Sequence, residues 1–243
     1  MPRFKPPEIP RDIIIIVGGY GSGKSEVAVN LVRFLVEQRP ESKQPISIVD
    51  LDIVNPYFRS REASEELERI GIRAIHPRGG ERYADLPIIL PDIKAGIVQN
   101  SGTMVLDVGG DDVGARVLSS LADSFSEVDY DLLFVLNANR PFTADVEGCL
   151  KMMGEIENAC GLKFTGIISN THLLEHTSED TVLTGLKLAR EVGRQTGLPV
   201  AFVSALAEVL DGIDGEKIKV PVLPLSRSLL KPWEKKSRHG NTK

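Results

Sequence analysis

The segment GGYGSGKS, at residues 18–25, carries the strongest chemical signal in the sequence. It satisfies the spacing G-x-x-x-x-G-K-[ST], which is typical of loops that bind nucleotide phosphates. An apolar run precedes the segment and a helical pattern follows it, so the loop is predicted to join a buried strand to a helix. The alternative interpretation is a glycine-rich turn before an ordinary helix.

Each residue type in this loop has a physical task in nucleotide binding. Glycines let the loop curl so that backbone N–H groups point at phosphate oxygens, and the positive end of the helix dipole adds to the attraction. Lys24 is expected to reach the β and γ phosphates, while the Ser25 hydroxyl ligates Mg²⁺. The residues predicted to contact the nucleotide are Gly18, Gly21, Ser22, Gly23, Lys24 and Ser25.

A second signal is Asp107, which ends an apolar run at residues 103–106 and precedes Gly109 and Gly110. In P-loop proteins a carboxylate at such a strand end holds the Mg²⁺ shell, usually through water. The two glycines would allow movement when the γ-phosphate leaves. Taken alone, the same pattern also describes a simple turn after a strand.

The third signal is a pair of acids, Asp50 and Asp52, immediately beyond the second apolar run. A spacing of two directs both carboxylates to one side of an extended chain, near the edge where ligands bind in parallel sheets. One of them could order the attacking water or the Mg²⁺ shell, and Asp52 is our candidate for the water. Together with Lys24 they are the predicted catalytic residues. Alternatively, Asp50 caps a loop and only one acid lies near the nucleotide.

Asn170, at the end of the apolar run 166–169, is a candidate for contact with the base. Its side-chain amide can both donate to and accept from an adenine edge, although a turn-forming role explains an Asn there nearly as well. The following residues contain no Lys and no Asp in the guanine-reading arrangement N-K-x-D, which favours ATP over GTP. Residues 137–143, NANRPFT, could also line the base or acceptor pocket, or begin a capped helix at Thr143.

Six apolar runs rich in β-branched residues must position these side chains, and they begin at residues 13, 46, 103, 132, 166 and 200. Strands buried on both faces have this composition, and stretches with helical spacing separate them. The pattern predicts an α/β fold with a doubly wound, mainly parallel sheet, in which right-handed crossovers place helices on both faces. Residues 76–91 are dense in Gly and Pro and are predicted to form a long loop, a frequent location of functional residues.

The chain length of 243 residues fits one domain, predicted at residues 12–230 between flexible segments at 1–11 and 231–243. A formal net charge of −5 argues against a direct nucleic-acid partner. No apolar run is long enough to cross a bilayer, and Pro232 would interrupt an amphipathic tail helix, so we expect a cytoplasmic protein without membrane contact.

Cys149 and Cys160 lack zinc or redox spacing and are expected to be buried in the core.

The motifs GGYGSGKS, VDLDIVNPYF and LDVGGDDVG, with the Asn after the fifth run, resemble the P-loop ATPases that include the MinD and ParA partitioning proteins and the cobyrinic-acid amidases. They are also similar to small ATP-binding proteins often labelled CobQ-like. The likeness spans roughly residues 12–225. It implies a P-loop NTPase fold, ATP and Mg²⁺ as ligands, and a nucleotide-dependent homodimer.

Two departures from these families stand out. The partitioning branch carries a second lysine early in the loop, where this chain has Gly19, and our hypothesis is that Arg59 or Arg61 replaces it in stabilising phosphoryl charge. Both arginines could equally be surface residues paired with nearby glutamates. An amidase would also need a glutaminase domain with a nucleophilic Cys, and neither cysteine is placed for that task.

Three functions fit these motifs. The leading interpretation is a slow ATPase that acts as a nucleotide-dependent switch on an unidentified protein partner. The second is a biosynthetic ATP-dependent ligase or kinase, with the loop at residues 78–85 and either Arg116 or Arg140 binding a small carboxylate-like acceptor. The third is a sensor or scaffold that binds ATP without hydrolysing it.

Overall fold

The protein is represented by a computed structural model that describes residues 3–39, 44–52, 63–76 and 82–229. Within that part of the chain, eight strands form one sheet in the order β3-β2-β4-β1-β5-β6-β7-β8, and every neighbouring pair is parallel. The strands are β1 (Ile13–Gly18), β2 (Ile46–Asp50), β3 (Ile72–Ile75), β4 (Thr103–Gly109), β5 (Tyr130–Leu136), β6 (Gly166–Ser169), β7 (Val200–Leu206) and β8 (Val222–Leu225).

Helices flank this sheet and connect the strands in the alternating order that the sequence predicts. The helices among the described residues are α1 (Lys24–Gln38), α2 (Ser64–Arg69), α3 (Arg82–Gln99), α4 (Asp112–Leu121), α5 (Val146–Cys160), α6 (Glu179–Thr196) and α7 (Ala207–Leu210). The predicted fold class, a doubly wound α/β sheet, is confirmed. None of these helices is long and apolar enough to cross a membrane.

The central strand β1 shows why an uninterrupted apolar run folds in this way. Ile13 and Ile15 pack into the core on one face of the sheet, while Ile14 and Ile16 pack into a second core on the opposite face. All four side chains are fully buried because helices cover both faces. All six predicted strands are present, and β1 lies between β4 and β5 at the point where the strand order reverses.

The two strands that the sequence pattern did not reveal, β3 and β8, lie at the two edges of the sheet. Arg73 of β3 is exposed, and β8 contains Pro224, whose missing N–H is tolerated at an edge. Edge strands need less apolar sequence than central strands because a neighbour covers only one side of them. Their composition therefore resembles that of loops.

The long loop predicted at residues 76–91 is wrong over most of its length, because α3 begins at Arg82. Two prolines, Pro87 and Pro91, lie within this helix and obscure its period in the sequence. Ile93 and Ile97 are fully buried at a spacing of four and fix the inward face of its C-terminal half. Residues 77–81 lie outside the described part of the chain.

The segment before β1, which is predicted to be flexible, contacts the domain. The Lys5 carbonyl accepts a hydrogen bond of 2.8 Å from the Val222 N–H, and Phe4 and Ile9 pack against the hydrophobic core. Residues 3–11 therefore continue the packing of the domain. The predicted C-terminal tail, residues 231–243, lies outside the described residues.

Cys149 and Cys160 are buried, as predicted.

Candidate functional site

The glycine-rich loop joins the end of the central strand to the start of α1, as the sequence predicts. Gly23 caps the helix with φ of 84° and ψ of 16°, a left-handed conformation that glycine adopts without strain. The Ser22 N–H donates to the Gly19 carbonyl over 3.0 Å, which closes a tight turn. Lys24 and Ser25 are then the first two residues of the helix, and both are buried.

Strand register brings the predicted acids to this loop. Asp50 of β2 lies directly beside Asp107 of β4, and Gly18 of β1 lies beside Gly109 of β4. Because all three strands are parallel and adjacent, their carboxyl ends meet at one edge of the sheet. The Leu51 N–H extends this alignment by donating to the Asp107 carbonyl over 2.8 Å.

Lys24 and Asp52 form a buried ion pair at the centre of the site, with Nζ and Oδ2 separated by 2.6 Å. Burial by itself would lower the pKa of Lys24, but the charges of Asp52, Asp107 and Asp111 outweigh burial and raise this pKa. The Asp52 N–H also donates to a carboxylate oxygen of Asp50 over 3.1 Å. The ammonium group is therefore charged and surrounded by an excess of carboxylates.

Asp107 is fully buried, and neither of its carboxylate oxygens accepts a hydrogen bond from the described residues. Burial raises the pKa of Asp107 to about 7. Lys24 and the Ser25 hydroxyl oppose that rise, and Asp50 and Asp52 reinforce it. A buried carboxylate without a donor is costly unless a ligand satisfies it. Asp107 is thus a candidate to hold a cation or a water.

The raised pKa of Asp107 predicts how the stability of the nucleotide-free protein depends on pH. The folded state holds a proton that the unfolded state releases above about pH 4, so stability should fall as pH rises from about 4 and level off above about 7. Asp107→Asn should remove this dependence and raise the free energy of unfolding at pH 8 by up to about 4 kcal/mol. Urea unfolding at pH 5 and pH 8, with a metal chelator present, measures the effect.

The exposed Asp112 provides the control, since Asp112→Asn changes the net charge equally without changing a buried group. Its unfolding curves should follow those of the wild type at both pH values. If Asp107→Asn follows them as well, Asp107 is ionised without cost in the folded protein, and burial does not raise its pKa.

The glycines after Asp107 allow the end of β4 to approach the glycine-rich loop. A Cβ atom at Gly110 would lie 2.5 Å from the Gly18 carbonyl carbon and oxygen, a distance that no side chain can occupy. A Cβ atom at Gly109 would lie 3.4 Å from an Asp52 carboxylate oxygen. The end of β4, the loop and Asp52 are therefore packed closely together. A movement of one of them would displace the other two.

Asn170 holds the loop by hydrogen bonds to its backbone. The amide nitrogen of its side chain donates to the Ser22 carbonyl over 2.7 Å, and the amide oxygen accepts from the Ser204 hydroxyl over 3.0 Å. Both ends of the amide are engaged in these contacts, which position the loop. A contact between Asn170 and adenine stays a prediction. Sequence reasoning placed Asn170 at the site but missed this role.

A second asparagine, Asn137 at the end of β5, makes the same kind of contact. Its amide nitrogen donates to the Gly21 carbonyl over 3.3 Å, and its amide oxygen accepts from the Asn139 N–H over 3.0 Å. The sequence indicated residues 137–143 only as a segment near the base or acceptor. Its other predicted feature, a helix start at Thr143, is wrong, because Asp145 caps α5 and Thr143 donates back to the Asn137 carbonyl.

Arg140 lies in the same segment and also contacts the glycine-rich loop. Its Nε donates to the Gly21 carbonyl over 2.7 Å, and a Cβ atom at Gly21 would lie only 2.6 Å from this nitrogen. Gly21 has a φ of +74°, a conformation that favours glycine. Burial and the charge of Arg140 lower the pKa of the adjacent His172 to about 4, so His172 is neutral at physiological pH.

Gly21, Lys24, Ser25, Arg140 and Asn170 line a cleft of about 1060 Å³ that also contacts α6 and β8. Its lining includes the cations Lys24 and Arg140 and apolar residues such as Leu206 and Val209. Cations and apolar side chains in one cleft suit a ligand with a phosphate group and a flat apolar ring system. The predicted residues Arg59 and Arg61 lie outside the described part of the chain.

Comparison with known proteins identifies the fold of this chain but does not assign it to a family. No protein family model matches the chain, and no curated protein matches it. Solved structures of FtsY do match: the Thermotoga maritima cell division protein FtsY is 18% identical, with a TM-score of 0.51, and the match covers 88% of this chain and 69% of FtsY. The Mycoplasma mycoides FtsY is 15% identical, with a TM-score of 0.53 and coverage of 86% and 66%.

A third similar structure is the signal recognition particle receptor FtsY from Elizabethkingia anophelis in complex with GDP. It is 15% identical, with a TM-score of 0.52, and the match covers 86% of this chain and 62% of that protein. The chain thus spans about two thirds of the length of these FtsY proteins. At such identities the likeness concerns the fold, which is that of the P-loop NTPases.

Proposed function

We propose that this protein binds Mg²⁺-ATP and hydrolyses it slowly, as a nucleotide-dependent switch for a partner. The observation that carries the proposal is the arrangement around Lys24: a glycine-rich loop at a helix start, facing three strand-end carboxylates. The positive helix end and the backbone N–H groups of the loop favour phosphate binding. Lys24 would exchange its partner Asp52 for phosphate oxygens when the nucleotide binds.

Mg²⁺ fits the residues present. Asp107 is a fully buried carboxylate without a hydrogen-bond donor among the described residues, and the buried Ser25 follows Lys24 on the first turn of α1. Mg²⁺ prefers oxygen ligands and keeps several of its waters, so it needs few side chains. Ser25 would ligate the ion directly and Asp107 would hold its water shell. The bound ion would neutralise charge on the phosphates.

Asp52 is the proposed group that orders the attacking water. Its carboxylate is buried beside Lys24 and close to Gly109, so a water bound there would lie near the terminal phosphate once Lys24 has moved. Asp50 supports Asp52 by accepting its backbone N–H. Both residues precede the segment at residues 53–62, in which Arg59 and Arg61 remain proposed stabilisers of phosphoryl charge.

Adenine is the proposed base because the guanine-reading acid is missing. Leu173 stands where the arrangement N-K-x-D would place its Asp, and it is 46% exposed. The likeness to an FtsY that contains GDP favours testing GTP beside ATP. The predicted likeness to the MinD and ParA branch, a homodimer formed with nucleotide and a cytoplasmic location remain part of this proposal.

The first experiment measures phosphate release from ATP and from GTP with Mg²⁺, together with the mass of the protein in solution. We expect ATP turnover below about 1 s⁻¹, weaker use of GTP and a larger mass with ATP. Preference for GTP would overturn the assignment of the base. Tight ATP binding without hydrolysis would favour a sensor, and hydrolysis that requires a carboxylate acceptor would favour a ligase or kinase.

A further inference from the structure

We infer that Arg140 is a second phosphate-binding cation of this site, supplied from within the same chain and contacting the terminal phosphate of ATP. The inference rests on the proposed function, because it assigns a residue to the same nucleotide. It concerns the β5–α5 segment, which the phosphate-loop motif does not include. Its basis is the position, charge and hydrogen bonding of one guanidinium group.

The position of Arg140 is fixed by the loop itself. The Nε hydrogen bond of 2.7 Å to the Gly21 carbonyl holds the guanidinium against the loop, and the Cζ atom would lie 3.0 Å from a Cβ atom at Gly21. Asn137 supports the same carbonyl from the end of β5. A side chain anchored at Nε loses less rotational freedom when its remaining nitrogens bind a ligand.

The charge of Arg140 is available for a ligand. Its two terminal amino groups make no hydrogen bond or ion pair with the described residues, and the guanidinium lines the same cleft as Lys24. The neighbouring His172 is neutral and supplies no competing charge. Lys24, in contrast, is already surrounded by Asp52, Asp107 and Asp111. Arg140 is therefore a cation without a carboxylate partner in the described part of the site.

This geometry also accounts for the glycine at position 19. A P-loop protein with one lysine leaves the charge of a triphosphate less fully matched, and an arginine fork can bind phosphate oxygens through two nitrogens. Arg140 reaches the loop at Gly21, two residues beyond Gly19, from the adjacent strand. A second loop lysine is then unnecessary, because the cation comes from the same chain by a different route.

The test compares a non-hydrolysable ATP analogue with ADP, by calorimetry, in the wild type, Arg140→Ala, Arg140→Lys and the control Arg190→Ala. Arg190 is an exposed arginine on α6. We expect Arg140→Ala to weaken binding of the analogue by about 10- to 100-fold and binding of ADP by less than about 3-fold. Arg140→Lys keeps the charge but loses the fork, so its loss should be intermediate, and Arg190→Ala should match the wild type.

Equal losses for the analogue and ADP would overturn the inference, since they would show that Arg140 only positions the loop. Unchanged binding in Arg140→Ala, with a selective loss in Arg59→Ala or Arg61→Ala, would assign the task to those residues instead. In both cases the wild type still binds ATP and the proposed function stands. If the wild type binds neither nucleotide, the proposed function fails, and this inference fails with it.

Discussion

Replacing Lys24 with alanine is expected to weaken binding of Mg²⁺-ATP by about 100-fold or more. Truncating one partner of a buried charge pair costs about 2–5 kcal/mol, and Lys24 is the buried cation at the loop end of the cleft. Its loss leaves the phosphates facing Asp52 and Asp107 without a compensating charge from the α1 start. Calorimetric titration with a non-hydrolysable ATP analogue measures the change, and hydrolysis should fall with it.

Lys187→Ala is the matched control, because Lys187 is an exposed lysine on α6 and its removal changes the net charge equally. Circular dichroism on both variants separates a loss of binding from a loss of folding. Lys24→Ala with wild-type affinity would mean that the loop does not bind phosphate, and the proposed function would have to be abandoned.

The variant Asp52→Asn is expected to separate hydrolysis from binding. Loss of a group that orders the attacking water lowers the rate by about 100- to 10,000-fold. ATP binding should remain at least as tight as in the wild type, because Lys24 no longer leaves a carboxylate at 2.6 Å to reach the phosphates. Single-turnover hydrolysis, measured beside equilibrium binding, gives both quantities on the same protein.

Asp112→Asn serves as the control for charge, since Asp112 is exposed on the first turn of α4. Two results would contradict the role assigned to Asp52. A hydrolysis rate within about 3-fold of the wild type would show that another group orders the water. A parallel loss of binding and hydrolysis would show that Asp52 chiefly holds Lys24 in position.

The buried pair of Lys24 and Asp52 is the contact through which a bound nucleotide would act on the rest of the site. Asp52 lies one residue before the segment at residues 53–62, and its carboxylate lies beside Gly109. If phosphate takes Lys24, the Asp52 carboxylate loses its contact with the ammonium group. This exchange is a physical route by which binding of ATP could move both segments, as the switch proposal requires.

The elements near the site could be predicted from the sequence because they are buried on both faces. The runs at β1, β2 and β4 contain mostly apolar residues, and Gly or Asp residues stand at or near the end of each. A polar group directly after a buried run must lie at the strand end. Asp50, Asp52 and Asp107 were found in this way, although their mutual distances were not.

Elements with weaker patterns could not be predicted. The edge strands β3 and β8 lack a long apolar run, and the prolines of α3 hide its helical spacing. Positioning residues are harder still, because Asn137, Asn170 and Arg140 act on loop carbonyls more than 100 residues away in the chain. A carbonyl has no sequence signature, so no local pattern could indicate these contacts.

The sequence by itself determined the glycine-rich loop before α1, the acids at the strand ends and the parallel sheet that carries them. These features depend on local chemistry: glycine for a curled backbone, an apolar run for a buried strand, and a carboxylate for a cation. Only the tertiary structure decided that Lys24 pairs with Asp52, that Asp107 lies without a donor among the described residues, and that Arg140 presses on Gly21. Those facts depend on strand order and register, which bring distant residues within bonding distance and which no local pattern specifies.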